Sequence, residues 1–124
     1  MQWHFCADQP IYTQIIDQIT RAILSGVFAP GERLPAVREL AMQAGVNPNT
    51  MQRAMAQLES TDLIYAQRTA GRFVTEDDQI IAAARDDLAA KRITEFLHSM
   101  AELGYDAAQV QQLLLQQNRQ EVEE

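Results

Sequence analysis

Residues 31–59, GERLPAVRELAMQAGVNPNTMQRAMAQLE, decide the fold of this chain, because they predict a helix, a tight turn and a second helix. Pro35 opens the first helix, and Gly45 ends it, as glycine commonly does. Asn47 can cap the second helix, and Pro48 follows at a position where a missing N–H costs nothing. One side of the second helix is apolar, since these residues recur at spacings of three and four: Met51, Ala54, Met55 and Leu58.

The opposite side of the second helix is polar and carries Asn49, Gln52 and Arg53 beside Ala56. Amide and guanidinium groups make bidentate hydrogen bonds with purine edges in the major groove of DNA. The two helices are therefore predicted to be a helix-turn-helix whose second helix reads a DNA sequence. Arg38, on the outward side of the first helix, is a further candidate DNA contact.

The segment before this stretch predicts one helix and two short extended pieces. Trp3-His4-Phe5 alternates in the manner of a short strand, and Glu32-Arg33-Leu34 can form another. The helix begins near Pro10 and ends at Gly26. Its apolar residues share one face: Ile11, Ile15, Ile16, Ile19, Ala22 and Ile23.

The segment after the second helix predicts a β-hairpin. Residues 63–68 and 72–75 are its strands, and residues 69–71 are its turn. A hairpin directly after a helix-turn-helix is a wing. Arg68 and Arg72 flank its tip, where they could reach phosphates or a minor groove. Both are equally compatible with solvated charges at strand ends.

Two further helices are predicted after the hairpin. The first begins at Glu76 or Asp77, because Thr75 and Asp78 have the spacing of a capping box. It continues through a long apolar pattern. The second begins at residues 106–109, where an aspartate and a glutamine have the same spacing.

These helices divide the chain into a winged helix-turn-helix domain, residues 1–75, and an α-helical tail, residues 76–124. The tail carries an apolar stripe that a domain of about 75 residues can cover only in part. A second copy of the chain is the simplest partner, so we expect a two-fold homodimer. We expect the polar, acidic residues 116–124 to fray. The predicted dimer contacts are Ile81, Leu88, Ile93, Phe96, Leu97, Met100, Val110, Leu113 and Leu114.

The net charge of −7 is unevenly distributed. Residues 1–75 contain six arginines and six acidic residues and are neutral, whereas residues 76–124 contain four basic and eleven acidic residues. The whole excess of negative charge therefore lies in the tail. Acid there repels DNA phosphates, but salt screens charges beyond about 8 Å at physiological ionic strength. DNA binding is compatible with this charge if the tail points away from the duplex.

Several function classes find no support in the sequence. No stretch approaches the roughly 20 apolar residues of a membrane span, and no secretory signal is present, so we expect a cytoplasmic protein that does not bind membranes. His4 and Cys6 lack further ligands nearby, and we predict no metal site and no cofactor. Paired carboxylates, a nucleophile with its base and a phosphate loop are also missing, so we predict no catalytic residues and no enzyme.

The first 75 positions resemble the N-terminal winged-helix domain of the GntR family of bacterial transcription regulators. The short helical tail and the run from Gly45 to Thr50 resemble the small YtrA-like branch, which dimerises through C-terminal helices. The matching elements recur in order and spacing: Pro10-Ile11-Tyr12, Gln14-Ile15, Gly26, Pro30 to Pro35, Val37 to Ala41, Gly45-Val46, Thr50, Arg53-Ala54, Leu58-Glu59 and Gly71 to Val74.

The resemblance implies roles for particular positions. Arg38 falls where the family contacts its operator with an arginine. The recognition helix positions are Asn49, Thr50, Gln52 and Arg53, and Gly71 falls in the wing tip. Thr50 suits either a phosphate contact or an ordinary first-turn side chain.

Three positions depart from the family pattern. Thr69 stands where the wing usually has another glycine, which bears on how closely the wing can approach a minor groove. Ala36 replaces the usual capping serine, and Asp62 replaces the glycine after the recognition helix. The last two bear on stability more than on function.

The sequence thus predicts a mainly α protein with a small β wing, which binds a double-stranded DNA operator as a homodimer. We expect a repressor that recognises an inverted repeat. The alternative is a winged-helix module that binds protein partners and lacks strong DNA affinity, which the acidic charge and Thr69 favour. A small-molecule effector could bind between the tail and the winged domain, although no convergent polar residues mark such a pocket.

Overall fold

Five helices and one two-stranded antiparallel sheet make up residues 1–123, the part of the chain that the computed structural model describes; side chains are described for residues 1–120. The predicted mainly helical fold with a small β wing is confirmed. In chain order the elements are α1 (Ile11–Leu24), α2 (Val37–Ala44), α3 (Pro48–Ser60), β1 (Ile64–Gln67), β2 (Gly71–Val74), α4 (Asp78–Glu102) and α5 (Ala107–Glu123).

The chain forms two compact units, Met1–Arg85 and Asp86–Glu124. The boundary lies inside α4 and therefore later than the predicted boundary at Thr75. Ile81 accounts for the difference, because it is buried in the core of the first unit. Ile80 and Ala84 pack against the same core.

The core of the first unit forms between α1, α2, α3 and the sheet. Its apolar side chains recur every three or four residues in the helices, so each helix turns one face inward. Every residue predicted for the apolar side of α3 is buried, which confirms that pattern. The largest fully buried side chains of this core are Ile15, Ile19, Leu40, Met51, Met55, Ile64 and Val74.

The sheet of the wing is extended by a third short piece of chain. Strands β1 and β2 pair in antiparallel register, with Ile64 opposite Val74. Arg33 forms an isolated bridge with Phe73 on the other edge of β2. Here the N–H of Leu34 donates to the carbonyl oxygen of Arg72 at 2.8 Å. The predicted short strand around Arg33 is thus present as a single bridge next to the hairpin.

The N-terminal segment is held on α1 by two glutamine side chains. The Gln18 amide exchanges two hydrogen bonds with the backbone of His4, and the Gln14 amide does the same with Cys6. Both pairs of bonds can form together because the two spacings are similar. The four residues from Gln14 to Gln18 rise about 6 Å along the helix, and the two extended residues from His4 to Cys6 span about 6.6 Å. Trp3 and Phe5 pack against the core, but their segment pairs with glutamine side chains and does not form the predicted strand.

Two helix starts in the first unit differ in their capping. The side-chain oxygen of Asn47 accepts a hydrogen bond from the N–H of Asn49 at 2.8 Å, which confirms the predicted cap of α3. Ala36, at the start of α2, has the extended backbone of a cap but no side-chain oxygen to accept a bond. The backbone N–H groups at the start of α2 therefore have fewer hydrogen-bond acceptors than those at the start of α3.

The start of α4 differs from its prediction. The helix begins at Asp78, later than Glu76 or Asp77. Asp77 provides the cap, since its carboxylate accepts from the N–H of Gln79 at 2.9 Å. Thr75 is buried, and its hydroxyl oxygen accepts from the N–H of Asp77 at 3.1 Å.

The start of α5 has the predicted capping box. The Asp106 carboxylate accepts from the N–H of Gln109 at 2.8 Å, and the Gln109 side chain accepts from the N–H of Asp106 at 2.9 Å. The helix extends to Glu123. The expected fraying of residues 116–124 stays a prediction, and Glu124 lies outside the described residues.

The predicted set of dimer contacts needs correction at two positions. Ile81 is buried in the core of the first unit, and Val110 is buried at 2% exposure within the single chain. Neither side chain is free to face a partner, because packing within the chain already covers it. Ile93, Phe96 and Leu114 are exposed, and four other members of the set are partly buried: Leu88, Leu97, Met100 and Leu113.

Candidate nucleic-acid interface

Three polar side chains of α3 face solvent on the side opposite the core. Asn49, Gln52 and Arg53 are exposed, and Thr50 is half-buried. Residues three and four apart are neighbours on a helix surface, so the three exposed side chains form one patch. The structure thus brings the predicted recognition-helix residues together. The amide and guanidinium groups of this patch are suited to hydrogen bonds with base edges and phosphates.

Arg38 is exposed on α2. Within the described part of the chain it forms no ion pair, neither with the adjacent Glu39 nor with Glu32. Its guanidinium is therefore available to an external anion such as a DNA phosphate.

The guanidinium of Arg53 lies over the ring of Tyr12, with 3.7 Å between its Cζ atom and the ring centroid. This is a cation–π contact between the first turn of α1 and the recognition helix. In the sequence, Tyr12 stands out only as part of the motif Pro10-Ile11-Tyr12. No local pattern links the two positions, because they belong to different helices that meet in the fold.

The two arginines of the wing differ in their surroundings. Arg68 is exposed at the tip, whereas Arg72 is half-buried, and its Nε–H donates to the Glu59 carboxylate in the last turn of α3. Both were predicted DNA contacts. The structure gives Arg72 a partner within the chain and leaves Arg68 open to solvent.

Gly71 brings the backbone of the wing close to Arg33. Its φ is +103°, in the region that favours glycine, and a Cβ atom there would lie 3.2 Å from Arg33 Nε. The side chain of Arg33 therefore lies across the wing at Gly71. Arg33 is exposed and adds a positive charge to this surface. Arg33 was not among the DNA contacts predicted from the sequence.

Two non-glycine residues adopt left-handed backbone conformations, at the positions where the family resemblance predicts glycine. Thr69 in the wing turn has a φ of 66°, and Asp62 after α3 has a φ of 63°. Aspartate tolerates this region better than threonine, which is β-branched. Both turns of this chain therefore place a side chain at a backbone conformation that favours glycine.

The described residues contain neither a group of metal ligands nor a membrane-spanning helix. No group of three or more His, Cys, Asp or Glu side chains there is arranged to hold a metal ion. None of the described helices has both the length and the apolar character needed to cross a membrane.

Comparison with known proteins identifies this arrangement of elements. Residues 11–74 match the family model described as bacterial regulatory proteins of the gntR family. One similar protein is the HTH-type transcriptional repressor YtrA of Bacillus subtilis strain 168. It is 36% identical over 98 residues, which cover 79% of this chain and 71% of YtrA.

Two solved structures resemble the chain as well. A GntR family transcriptional regulator from Listeria monocytogenes has a TM-score of 0.79 and 37% identity, covering 90% of this chain and 98% of that protein. The DNA-binding domain of AraR, solved in complex with operator ORX1, has a TM-score of 0.56 and 29% identity, covering 60% of this chain and 96% of that domain. The match of residues 11–74 to the gntR family model and the 36% identity to YtrA over 98 residues show that this chain belongs to the GntR family of bacterial transcriptional regulators.

Proposed function

We propose that this protein binds a double-stranded DNA operator as a homodimer and represses transcription there. The observation that carries the proposal is the solvent-exposed patch of Asn49, Gln52 and Arg53 on the helix after the tight turn. The operator complex of the AraR domain supports DNA as the ligand of this fold. The similar protein YtrA is a transcriptional repressor, which supports repression as the direction of regulation.

The proposed contacts divide into base recognition and phosphate binding. With α3 in the major groove, Gln52 and Asn49 would meet base edges, because amides pair with adenine through two hydrogen bonds. Arg38 and Arg68 would contact phosphates, since both are exposed. Thr50, which is half-buried, is suited to a phosphate contact near the helix start.

The proposed dimer uses the apolar residues that the second unit leaves exposed. Ile93 is 58% exposed, Phe96 43% and Leu114 54%, and two residues outside the predicted set, Leu103 and Leu115, are exposed as well. Such apolar area is rarely left open to water in a monomer. A two-fold partner would bury it and would place two α3 helices on half-sites about one helical turn apart.

A binding experiment with the wild-type protein tests the proposal. Gel-shift titration against the promoter DNA of its own operon, and against a selected random-sequence pool, is expected to yield an inverted repeat. The competing idea of a protein-interaction module predicts no preferred sequence in either experiment. Lack of specific binding even at low salt would therefore refute operator recognition.

Sedimentation tests the dimer separately. We expect twice the 14.0 kDa chain mass at micromolar concentration for the wild type. The Phe96→Glu substitution should shift the protein to the chain mass, because it would bury a charge at the interface. Gln116→Glu, a matched change at an exposed polar position, should leave the dimer intact. If the wild type sediments as a monomer, the proposed homodimer is wrong. DNA binding is tested separately by the gel-shift titration.

A further inference from the structure

We propose that Tyr12 is a positioning residue for the DNA contact of Arg53. Its ring supports the flat side of the guanidinium and turns the N–H edge toward the duplex. This inference rests on the proposed function, because it assigns a role within the same DNA-binding site. It adds a residue of α1 to a surface otherwise formed by α2, α3 and the wing.

The geometry of the pair carries the inference. Arg53 Cζ lies 3.7 Å from the centroid of the Tyr12 ring, close enough for direct contact with the ring face. Guanidinium donors all lie in the plane of the group, so a ring against its face leaves them free. Arg53 is exposed and Tyr12 is half-buried, which keeps that donor edge accessible to solvent.

Holding the side chain in place should strengthen binding. An exposed arginine samples many rotamers, and DNA binding would have to restrict them. The contact with Tyr12 restricts them before DNA arrives, which lowers the entropic cost of association. The ring therefore contributes to affinity through Arg53, without touching DNA itself.

Tyr12 can act in this way because the start of α1 is tied down by its neighbours. The Gln14 side chain donates to the carbonyl oxygens of Cys6 and Gln9 at 2.8 Å and 3.0 Å. The Thr13 hydroxyl donates to the carbonyl oxygen of Pro10 at 2.8 Å. Ile15, at the next turn, is fully buried. The helix turn that carries the Tyr12 ring is thus held by hydrogen bonds to the preceding residues on its outer side and by packing against the core on its inner side.

The test is a double-mutant cycle of affinity for the selected operator, using Tyr12→Leu, Arg53→Ala and the double variant. Tyr12→Leu alone should weaken binding about threefold to tenfold, which is about 0.7–1.4 kcal/mol at 1.4 kcal/mol per tenfold. This value lies between those of exposed and desolvated cation–π contacts. In the Arg53→Ala background the same substitution should cost nothing further. Equal losses in both backgrounds would overturn the proposal, because Tyr12 would then act independently of Arg53.

Two further substitutions at Tyr12 distinguish the contribution of the ring to DNA affinity from that of the hydroxyl and from a general loss of folding. Tyr12→Phe keeps the π face and should bind within about twofold of wild type. If it loses as much as Tyr12→Leu, the hydroxyl is itself a DNA ligand and the proposal fails. Tyr12→Met supplies a flexible apolar side chain without a π face and should match Tyr12→Leu. Tyr105→Leu, an exposed tyrosine of the second unit, is the matched control and should leave affinity unchanged.

A measurement without DNA separates this inference from the proposed function. Side-chain protons of Arg53 should show an upfield ring-current shift by NMR in wild type and Tyr12→Phe, and lose it in Tyr12→Leu. Absence of that shift in wild type would overturn the positioning role even if operator binding is found. If the shift is present but no DNA sequence is bound, the proposed function fails and the positioning role fails with it.

Discussion

Glu59 in the last turn of the recognition helix forms an ion pair with Arg72 in the second strand of the wing. The two residues join the parts of the domain that are proposed to contact DNA. Their side chains are 31% and 22% exposed, so the pair is only partly screened by water. The contact holds the wing next to the helix, and it gives Arg72 a structural partner that Arg68 lacks.

Replacing each wing arginine should therefore have different consequences. Arg68→Ala should weaken binding to all duplexes similarly, since it removes one phosphate contact. The slope of the logarithm of the binding constant against the logarithm of the salt concentration should become shallower by about one. Arg72→Ala should leave the salt dependence nearly unchanged, because its charge is already neutralised by Glu59. Titrations over a range of salt concentrations measure both. Arg92→Ala, in the tail, is the control, and equal salt effects for both wing variants would contradict the prediction.

Gln52→Ala should relax sequence preference. A bidentate amide–base contact discriminates against the wrong base by about 1–3 kcal/mol. Loss of Gln52 should therefore reduce the ratio of affinities for the operator and for operators with a changed base by about tenfold or more. Competition binding with operators changed one base pair at a time measures this ratio. Gln57→Ala, the same change later in the same helix, should preserve the preference because the early residues of a recognition helix meet the bases. Unchanged discrimination in Gln52→Ala would remove this residue from the site.

Glycine at either left-handed position should stabilise the first unit. Thr69→Gly should raise the free energy of unfolding by about 1 kcal/mol, since it relieves the strain of a β-branched residue at positive φ. Asp62→Gly should gain less, because aspartate tolerates that conformation. Ala70→Gly, at the neighbouring position without a positive φ, should instead destabilise by about 0.5–1 kcal/mol. Denaturant unfolding measures all three, and a loss of stability in Thr69→Gly would show that the turn is not strained.

Ala36→Ser should stabilise α2. The extended backbone at Ala36 already has the geometry of a cap, and a serine oxygen could accept a hydrogen bond that alanine cannot. With Glu39 three residues later, the substitution would complete a capping box. We expect a gain of about 1 kcal/mol in the free energy of unfolding. Ala36→Val supplies no oxygen and should bring no gain, so equal stability of the two variants would refute the capping explanation.

Local patterns in the sequence determined most of the fold. Spacings of three and four located the apolar faces of α1 and α3, and Asn47 marked the start of α3 because its side chain bonds a backbone N–H two residues away. The capping box at residues 106–109 was predictable for the same reason, because its side chains bond backbone N–H groups three residues apart. The exposed patch of α3 also follows from local rules, since whatever lies opposite a buried face is exposed.

Only the tertiary structure decided which side chains meet across elements. It paired Arg72 with Glu59, stacked Arg53 on Tyr12, and laid Arg33 across Gly71. It also moved Ile81 and Val110 from the predicted dimer surface into buried positions. The physical reason is common to these cases: burial and contact depend on how helices and strands pack together, and periodicity within one element carries no information about its neighbour.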